Sequence, residues 1–252
     1  MKYAIVTGNS KGLGASISCL LIKENIHIIG ISRTDNEQLS RLANEHSVTY
    51  EHISCDLANP NQVESVFSGV ALKIYGQNPE LVYLINNAGV VDPIDRTGNH
   101  AANDIVAHTN INFVAPVAAT NIFLQKASIS ETKTIVVNVT SGAAQRPISG
   151  WSLYCGTKAG LDLFTETVAM EQMEAETGNL AILFNPGIMD TNMQASIRAS
   201  SLDAFRDVEA FKQYKENNEL RDTDVVAQAL VSVLLDVPNI ENGKNYSIKE
   251  LL

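Results

Sequence analysis

The sequence has only three cysteines in 252 residues, Cys19, Cys55 and Cys155, scattered and odd in number. That excludes a disulfide scaffold and fits a reducing compartment. Positive charge is scarce: 18 Lys and Arg against 28 Asp and Glu leave a net charge of −10. This balance argues against a general nucleic-acid or anionic-membrane surface, and an anionic ligand would need local cations. Long apolar runs are missing too. No stretch approaches the ~18 residues of a membrane span. The opening Met1-Lys2-Tyr3-Ala4-Ile5-Val6 lacks the apolar core and cleavage signal of a secretory leader, so the expected location is the cytoplasm. His27, His46, His52, His100 and His108 share no metal-ligand spacing with each other or with cysteine, and no metal is expected. No linker rich in Pro, Ser or Gly divides the chain and no repeat recurs. Residues 1–252 read as one domain.

What is present is an alternation. Short strand-like runs, β-branched at His27–Ile31 and Thr134–Val139, stand at Ala4–Val6, His27–Ile31, Val48–Ser54, Leu81–Ile85, Thr134–Val139, Leu180–Phe184 and Asn245–Ile248. Helical patterns separate them at Ala15–Lys23, Asn36–Glu45, after Asn59-Pro60, and at Ile111–Leu124, Trp151–Met173 and Asp222–Leu235. Strands alternating with helices predict an α/β fold with a mostly parallel, doubly wound sheet covered on both faces, of the Rossmann type. The charged stretch 190–218 departs from the pattern, and its length predicts a lid over a binding site.

Tyr154 and Lys158 lie four apart in a predicted helix and share one face. An ammonium beside a phenol favours the phenolate, so Lys158 is expected to lower the Tyr154 pKa and make it an acid/base group. Ser141, thirteen positions upstream of Tyr154, closes the fifth strand and is a candidate donor to a carbonyl oxygen. Gly8, Gly12 and Gly14 follow the first strand and precede a helix. Glycines there let the backbone approach a pyrophosphate, whose charge a helix N-terminus favours. Arg33 ends the second strand nineteen residues after Gly14, where an arginine accommodates the 2′-phosphate of NADP. Lys11 in the loop adds a second cation. Asp35, two positions beyond Arg33, is the residue that would serve NAD instead.

Thr7-Gly8-Asn9-Ser10-Lys11-Gly12-Leu13-Gly14, Asp56, Asn86-Asn87-Ala88-Gly89, Asn112, Ser141, Tyr154-x-x-x-Lys158 and Pro186-Gly187 occur in an order that resembles the short-chain dehydrogenase/reductase family. Asn9 stands where that family often has a small residue. Val139-Thr140-Ser141-Gly142-Ala143-Ala144, Gly150-Trp151-Ser152-Leu153-Tyr154-Cys155 and Pro186-Gly187-Ile188-Met189-Asp190-Thr191 are similar to the sepiapterin reductase-like branch, and within it to bacterial benzil reductases of the (S)-benzoin-forming type. The resemblance implies NADP(H) as cofactor and an aromatic 1,2-diketone as substrate. It implies that Tyr154 protonates the carbonyl, Lys158 tunes Tyr154 and binds the nicotinamide ribose, and Ser141 holds the substrate oxygen. Asn112 would hold a water linking Lys158 to solvent. Ser10 and Leu13 belong to the implied cofactor loop. Asp56 would contact adenine, Asn87, Ala88 and Gly89 would line the cofactor, and Pro186, Gly187, Ile188 and Thr191 would flank the nicotinamide.

On the substrate side, Gly142 and the alanines after it leave space, while Ile148, Trp151, Met189 and Met193 are candidate apolar walls for a flat carbonyl compound. Reduction of a pterin ketone, a silent NADP-sensing protein of the same fold, and a structural partner-binding protein are the competing readings. Relatives of this kind form homodimers or homotetramers, and the same is expected here.

Overall fold

A computed structural model describes residues 1–252. Seven parallel strands form one sheet: β1 (Lys2–Thr7), β2 (His27–Ser32), β3 (Tyr50–Ser54), β4 (Leu81–Asn86), β5 (Thr134–Val139), β6 (Leu180–Asn185) and β7 (Asn245–Ser247), in the order β3-β2-β1-β4-β5-β6-β7. The helices are α1 (Gly12–Lys23), α2 (Glu37–Glu45), α3 (Pro60–Tyr75), α4 (Ala102–Thr109), α5 (Ala115–Ser130), α6 (Ser152–Glu174), α7 (Asn192–Ala199), α8 (Val208–Glu216), α9 (Thr223–Leu235) and α10 (Ile248–Leu251).

Side chains alternate across each strand, and both faces are covered. Ala4 and Val6 of β1 join a core with Leu13, Ile17 and Leu21 of α1 and Val226, Leu230 and Leu234 of α9. Tyr3 and Ile5 join the opposite core, with Phe67 and Ile74 of α3, Phe123 of α5 and Val168 of α6. Burying each such side chain contributes roughly 1.5–3 kcal/mol. α3 begins where Asn59 Oδ1 accepts from the backbone N–H of Asn61 (3.1 Å) and Gln62 (3.3 Å), with Pro60 preset for the first turn.

The topology positions the site. Strand order reverses between β1 and β4, because the chain runs outward from β1 to β3 and then crosses back. Ligands bind in the crevice outside the carboxyl ends of strands at such a point.

The expected helix Ile111–Leu124 lies within a longer helical run, 102–130, whose hydrogen-bond pattern changes at one point. A π turn spans Asn110–Val114 and α5 follows, with α4 before it, which the sequence pattern did not reveal. Residues 190–218 fold as α7, α8 and their connection. No helix is long and apolar enough to cross a membrane.

Candidate active site

The glycine loop joins β1 to α1. Gly8 has φ of +69°, and a Cβ on Gly14 would come 2.5 Å from Gly8 O and 2.6 Å from Asn87 Nδ2, so only glycine fits at 14. Asn87 braces this turn: its Nδ2 donates to Thr7 O at 2.9 Å, and the N–H groups of Asn87 and Ala88 both donate to Thr7 Oγ1 at 3.0 Å. α1 starts after Lys11 with no side-chain cap, which leaves its first N–H groups for an anion. Thr191, which caps α7 by accepting from Gln194 N, stands over the loop: a Cβ on Gly12 would lie 3.8 Å from its Cγ2. The sequence-predicted residues Ser10, Leu13, Asn87–Gly89 and Thr191 thus converge at the β1/β4 switch point. A cradle with no room for a Cβ beside an uncapped helix start fits the pyrophosphate of a dinucleotide.

Arg33 and Lys11 are exposed at the ends of β2 and β1, and neither makes an ion pair. Asp35 is engaged instead: Tyr50 donates its hydroxyl to Asp35 Oδ1 at 2.7 Å, a bond that holds this carboxyl below its usual range. Asp56 follows β3 and accepts from Ala58 N at 3.0 Å as a turn former. Pro186 and Gly187 follow β6, and Gly187 has φ of +68°.

The chemistry-bearing groups meet at the carboxyl end of β5. Lys158, on α6, donates from Nζ to Val139 O at 2.8 Å, and this Nζ lies 5.9 Å from the centre of the Tyr154 ring. Ser141 leaves β5 after Thr140. Its Oγ accepts from Ala143 N at 3.2 Å, and its hydroxyl is near enough to Tyr154 to favour the phenolate. Tyr154 and Lys158 are only 7% and 4% exposed. Burial lowers the Lys158 pKa to about 8, and Asp162 pulls the other way. Burial also pushes the Tyr154 phenol up, against the pull of the Ser141 hydroxyl. Lys158, expected to lower it, is not among the groups that shift this phenol; burial sets the direction. At neutral pH Tyr154 therefore keeps its proton, the state a proton donor needs.

Asn112 sits in the π turn, fully buried. Its Oδ1 accepts from Val90 N at 2.9 Å, and its Nδ2 donates to Val90 O at 2.7 Å. A Cβ on Gly89 would lie 3.3 Å from Asn112 Oδ1 and 3.7 Å from Lys158 Nζ, which places both beside the same backbone. His108, which the sequence reading passed over, holds Asn112 from behind. Asp92 O can only accept, so His108 Nδ1 donates to it at 2.7 Å, and His108 Nε2 accepts from Asn112 Nδ2 at 2.9 Å. Burial keeps this imidazole below its usual pKa, hence neutral. The signal was present as a spacing of four within one helical stretch.

An aromatic cluster covers Tyr154. Trp151 meets its ring edge-on at 5.4 Å and 72°, and stacks on Phe205 at 4.7 Å and 15°. Phe211 of α8 and Ile197 of α7 complete the layer with Met193 and Ile148. Met189 does not join it. It packs on the sheet core instead, because its backbone bridges to Arg221. Gly142 is exposed, and a Cβ there would meet only Asn185 Nδ2 at 4.0 Å, so space remains beside Ser141.

The sequence profile described as short chain dehydrogenase matches residues 2–202. A benzil reductase ((S)-benzoin forming) of Bacillus subtilis is 38% identical over 252 residues, covering 100% of both chains. One from Bacillus cereus is 34% identical over 250 residues, covering 99% of this chain and 100% of its own. A short chain dehydrogenase from Burkholderia cenocepacia, solved in complex with NADP, has 25% identity and a TM-score of 0.77, covering 98% of this chain and 96% of that one. Similarity of this extent, over a fold that brings Ser141, Tyr154 and Lys158 to the carboxyl end of β5, means that the chain belongs to the short-chain dehydrogenase/reductase family, oxidoreductases that work between hydroxyl and carbonyl with NAD(P)(H).

Proposed function

We propose that this chain is an NADPH-dependent carbonyl reductase that converts an aromatic 1,2-diketone of the benzil type to the (S)-hydroxyketone. The observation that carries the reading is the pairing of Tyr154 with Trp151. The proton donor is walled by aromatic and aliphatic side chains, as a flat aryl ketone requires. Trp151 Nε1 is also buried without an acceptor. A buried unpartnered donor costs about 1–3 kcal/mol, and a second carbonyl next to the reacting one would supply an acceptor where a simple ketone has none. Two full-length relatives carry the benzil reductase name.

Gly8–Gly14 and Thr191 would hold the dinucleotide, which when bound would supply the hydride for the carbonyl carbon. Tyr154 gives its phenolic proton to the carbonyl oxygen as charge develops there, and Ser141 Oγ–H donates to the same oxygen. Lys158 stabilises the phenolate left behind, and Asn112, fixed by His108, holds the water that links Lys158 to solvent. Arg33 and Lys11 make NADPH the preferred dinucleotide. Residues 190–218 act as a lid that opens to admit substrate. The exposed Leu163, Met170 and Met173 on α6 are the face through which a second copy assembles.

The test is a carbonyl panel of benzil, sepiapterin and simple ketones followed by loss of NADPH absorbance. Turnover is expected to be highest with benzil. Highest turnover with sepiapterin would move the substrate to the pterins, and no turnover with any carbonyl would leave a dinucleotide-sensing protein.

A further inference from the structure

Asp162 lies on α6 one turn beyond Lys158, buried, and the reaction as described gives it no part. Its two oxygens are divided between the two ends of the serine segment. Thr140, immediately before Ser141, donates its hydroxyl to Asp162 Oδ1. Gln145, which ends the short 3-10 turn after Ser141, donates Nε2 to Oδ2 at 2.9 Å. One carboxylate therefore clips the Ser141 segment at both ends onto the helix that carries Tyr154 and Lys158.

A buried carboxylate is costly unless it is satisfied, and a neutral side chain can make similar contacts at less cost. The charge itself needs a reason. The titratable groups facing Lys158 are Tyr154 and Asp162 on its own helix and His108 from α4. β5 presents only the Val139 carbonyl, and Gly89 brings no side chain. Tyr154 and His108 are neutral, so Asp162 is the one carboxyl in this shell; burial raises its pKa, and the hydrogen bonds from Thr140 and Gln145 with the Lys158 charge pull it back toward the carboxylate. Glu166, one turn further on, faces Asp162 and is exposed. The hydrogen bond from Lys158 goes to Val139 rather than to Asp162. The lysine thus feels the carboxylate's field while the rest of its ammonium stays free for Tyr154 and the cofactor.

We propose that Asp162 is a positioning residue for the catalytic cluster: its charge keeps Lys158 an ammonium, and its two oxygens hold Ser141 in register with Tyr154. The proposal rests on the carbonyl-reductase reading of the same site. It separates into two measurable parts. Asp162→Asn removes the charge and keeps the shape, since Gln145 can rotate its amide to accept from the new Nδ2. Gln145→Met removes one clip and keeps the charge.

The experiment titrates the Lys158 Nζ signal by NMR in lysine-labelled protein, assigned by its absence from Lys158→Met, and measures kcat and kcat/KM for benzil reduction against pH. In Asp162→Asn the Lys158 midpoint is expected to fall by about one unit, and the high-pH limb of kcat/KM to fall with it. In Gln145→Met kcat is expected to drop roughly tenfold with the midpoint unmoved, as a small misplacement of Ser141 would do. An unmoved midpoint in folded Asp162→Asn overturns the electrostatic part. Wild-type kcat in Gln145→Met overturns the positioning part, and that test stands if Asp162→Asn does not fold. A wild-type protein that reduces no carbonyl, with the NMR midpoint still shifting in Asp162→Asn, would refute the functional reading and leave the Asp162–Lys158 coupling intact.

Discussion

Asn9 fills the space that a side chain at position 30 would need. A Cβ on Gly30 would lie 2.5 Å from Asn9 Cγ, closer than non-bonded atoms approach. Asn9 cannot step aside easily: Ser32 Oγ donates to its Oδ1, and its Nδ2 donates to Tyr50 Oη, both at 3.1 Å. The bulky residue at a loop position where small ones are usual is thus matched by a glycine in β2. Gly30→Ala is expected to cost about 1–3 kcal/mol in urea denaturation. In an Asn9→Ala background the same change should cost far less, because the clashing atoms are gone. Equal costs in both backgrounds would contradict the fit.

Arg33 is the exposed cation at the end of β2, while the nearby Asp35 is bonded to Tyr50. Arg33→Ala should weaken NADPH binding by one to two orders of magnitude, an estimate in the range of hydrogen bonds to charged groups, and leave NADH nearly unchanged. Fluorescence titration with both dinucleotides checks this. Equal weakening would point to packing rather than phosphate recognition.

Lys158 makes activity and stability respond to pH in opposite directions. Its pKa is lowered from 10.5 to about 8 in the folded chain. Above about 8 the ammonium is lost, so kcat/KM should fall as pH rises through that value. For stability, the unfolded chain binds more protons on this lysine than the folded chain between about 8 and 10.5. The Lys158 contribution therefore becomes more favourable as pH rises through that window, and is flat below it. A pH series of kcat/KM beside the pH dependence of unfolding in wild type and Lys158→Met checks both signs. A rate that climbs through pH 8 to 10 would contradict the assignment.

Phe205 fastens the segment from α7 to α8 over the site by stacking on Trp151. Phe205→Ala removes about 3–5 kcal/mol of packing from a cluster separate from both sheet cores. Hydrogen exchange across residues 192–216 should accelerate, and KM for the diketone should rise more than kcat falls. Unchanged exchange there would mean that the segment is held by something other than the aromatic stack.

Most of the seven strands were legible because they are short runs of apolar residues, several of them β-branched, and both faces of the sheet are buried. The helix Trp151–Met173 was legible for the same local reasons and appears as Ser152–Glu174. The π turn before α5 was not, because it leaves no periodic mark in Ile111–Leu124. α4 was missed because half of its residues are polar and its Ile105 and Val106 stay exposed. The cluster of Ser141, Tyr154 and Lys158 could be named from spacing, yet the direction of the Tyr154 shift could not. That depends on Trp151 and Phe205, which are separated by dozens of residues and meet only in the fold. Met189 packs on the sheet core while Met193 joins the aromatic cluster, since nearness in sequence does not fix which core a side chain enters.

Replacing Tyr154 by phenylalanine removes one oxygen atom and little else. The variant is expected to bind NADPH as the wild type does and to reduce benzil about 10²–10⁴-fold more slowly. Near-normal turnover of Tyr154→Phe, with cofactor bound, would contradict a mechanism in which this buried phenol delivers the proton.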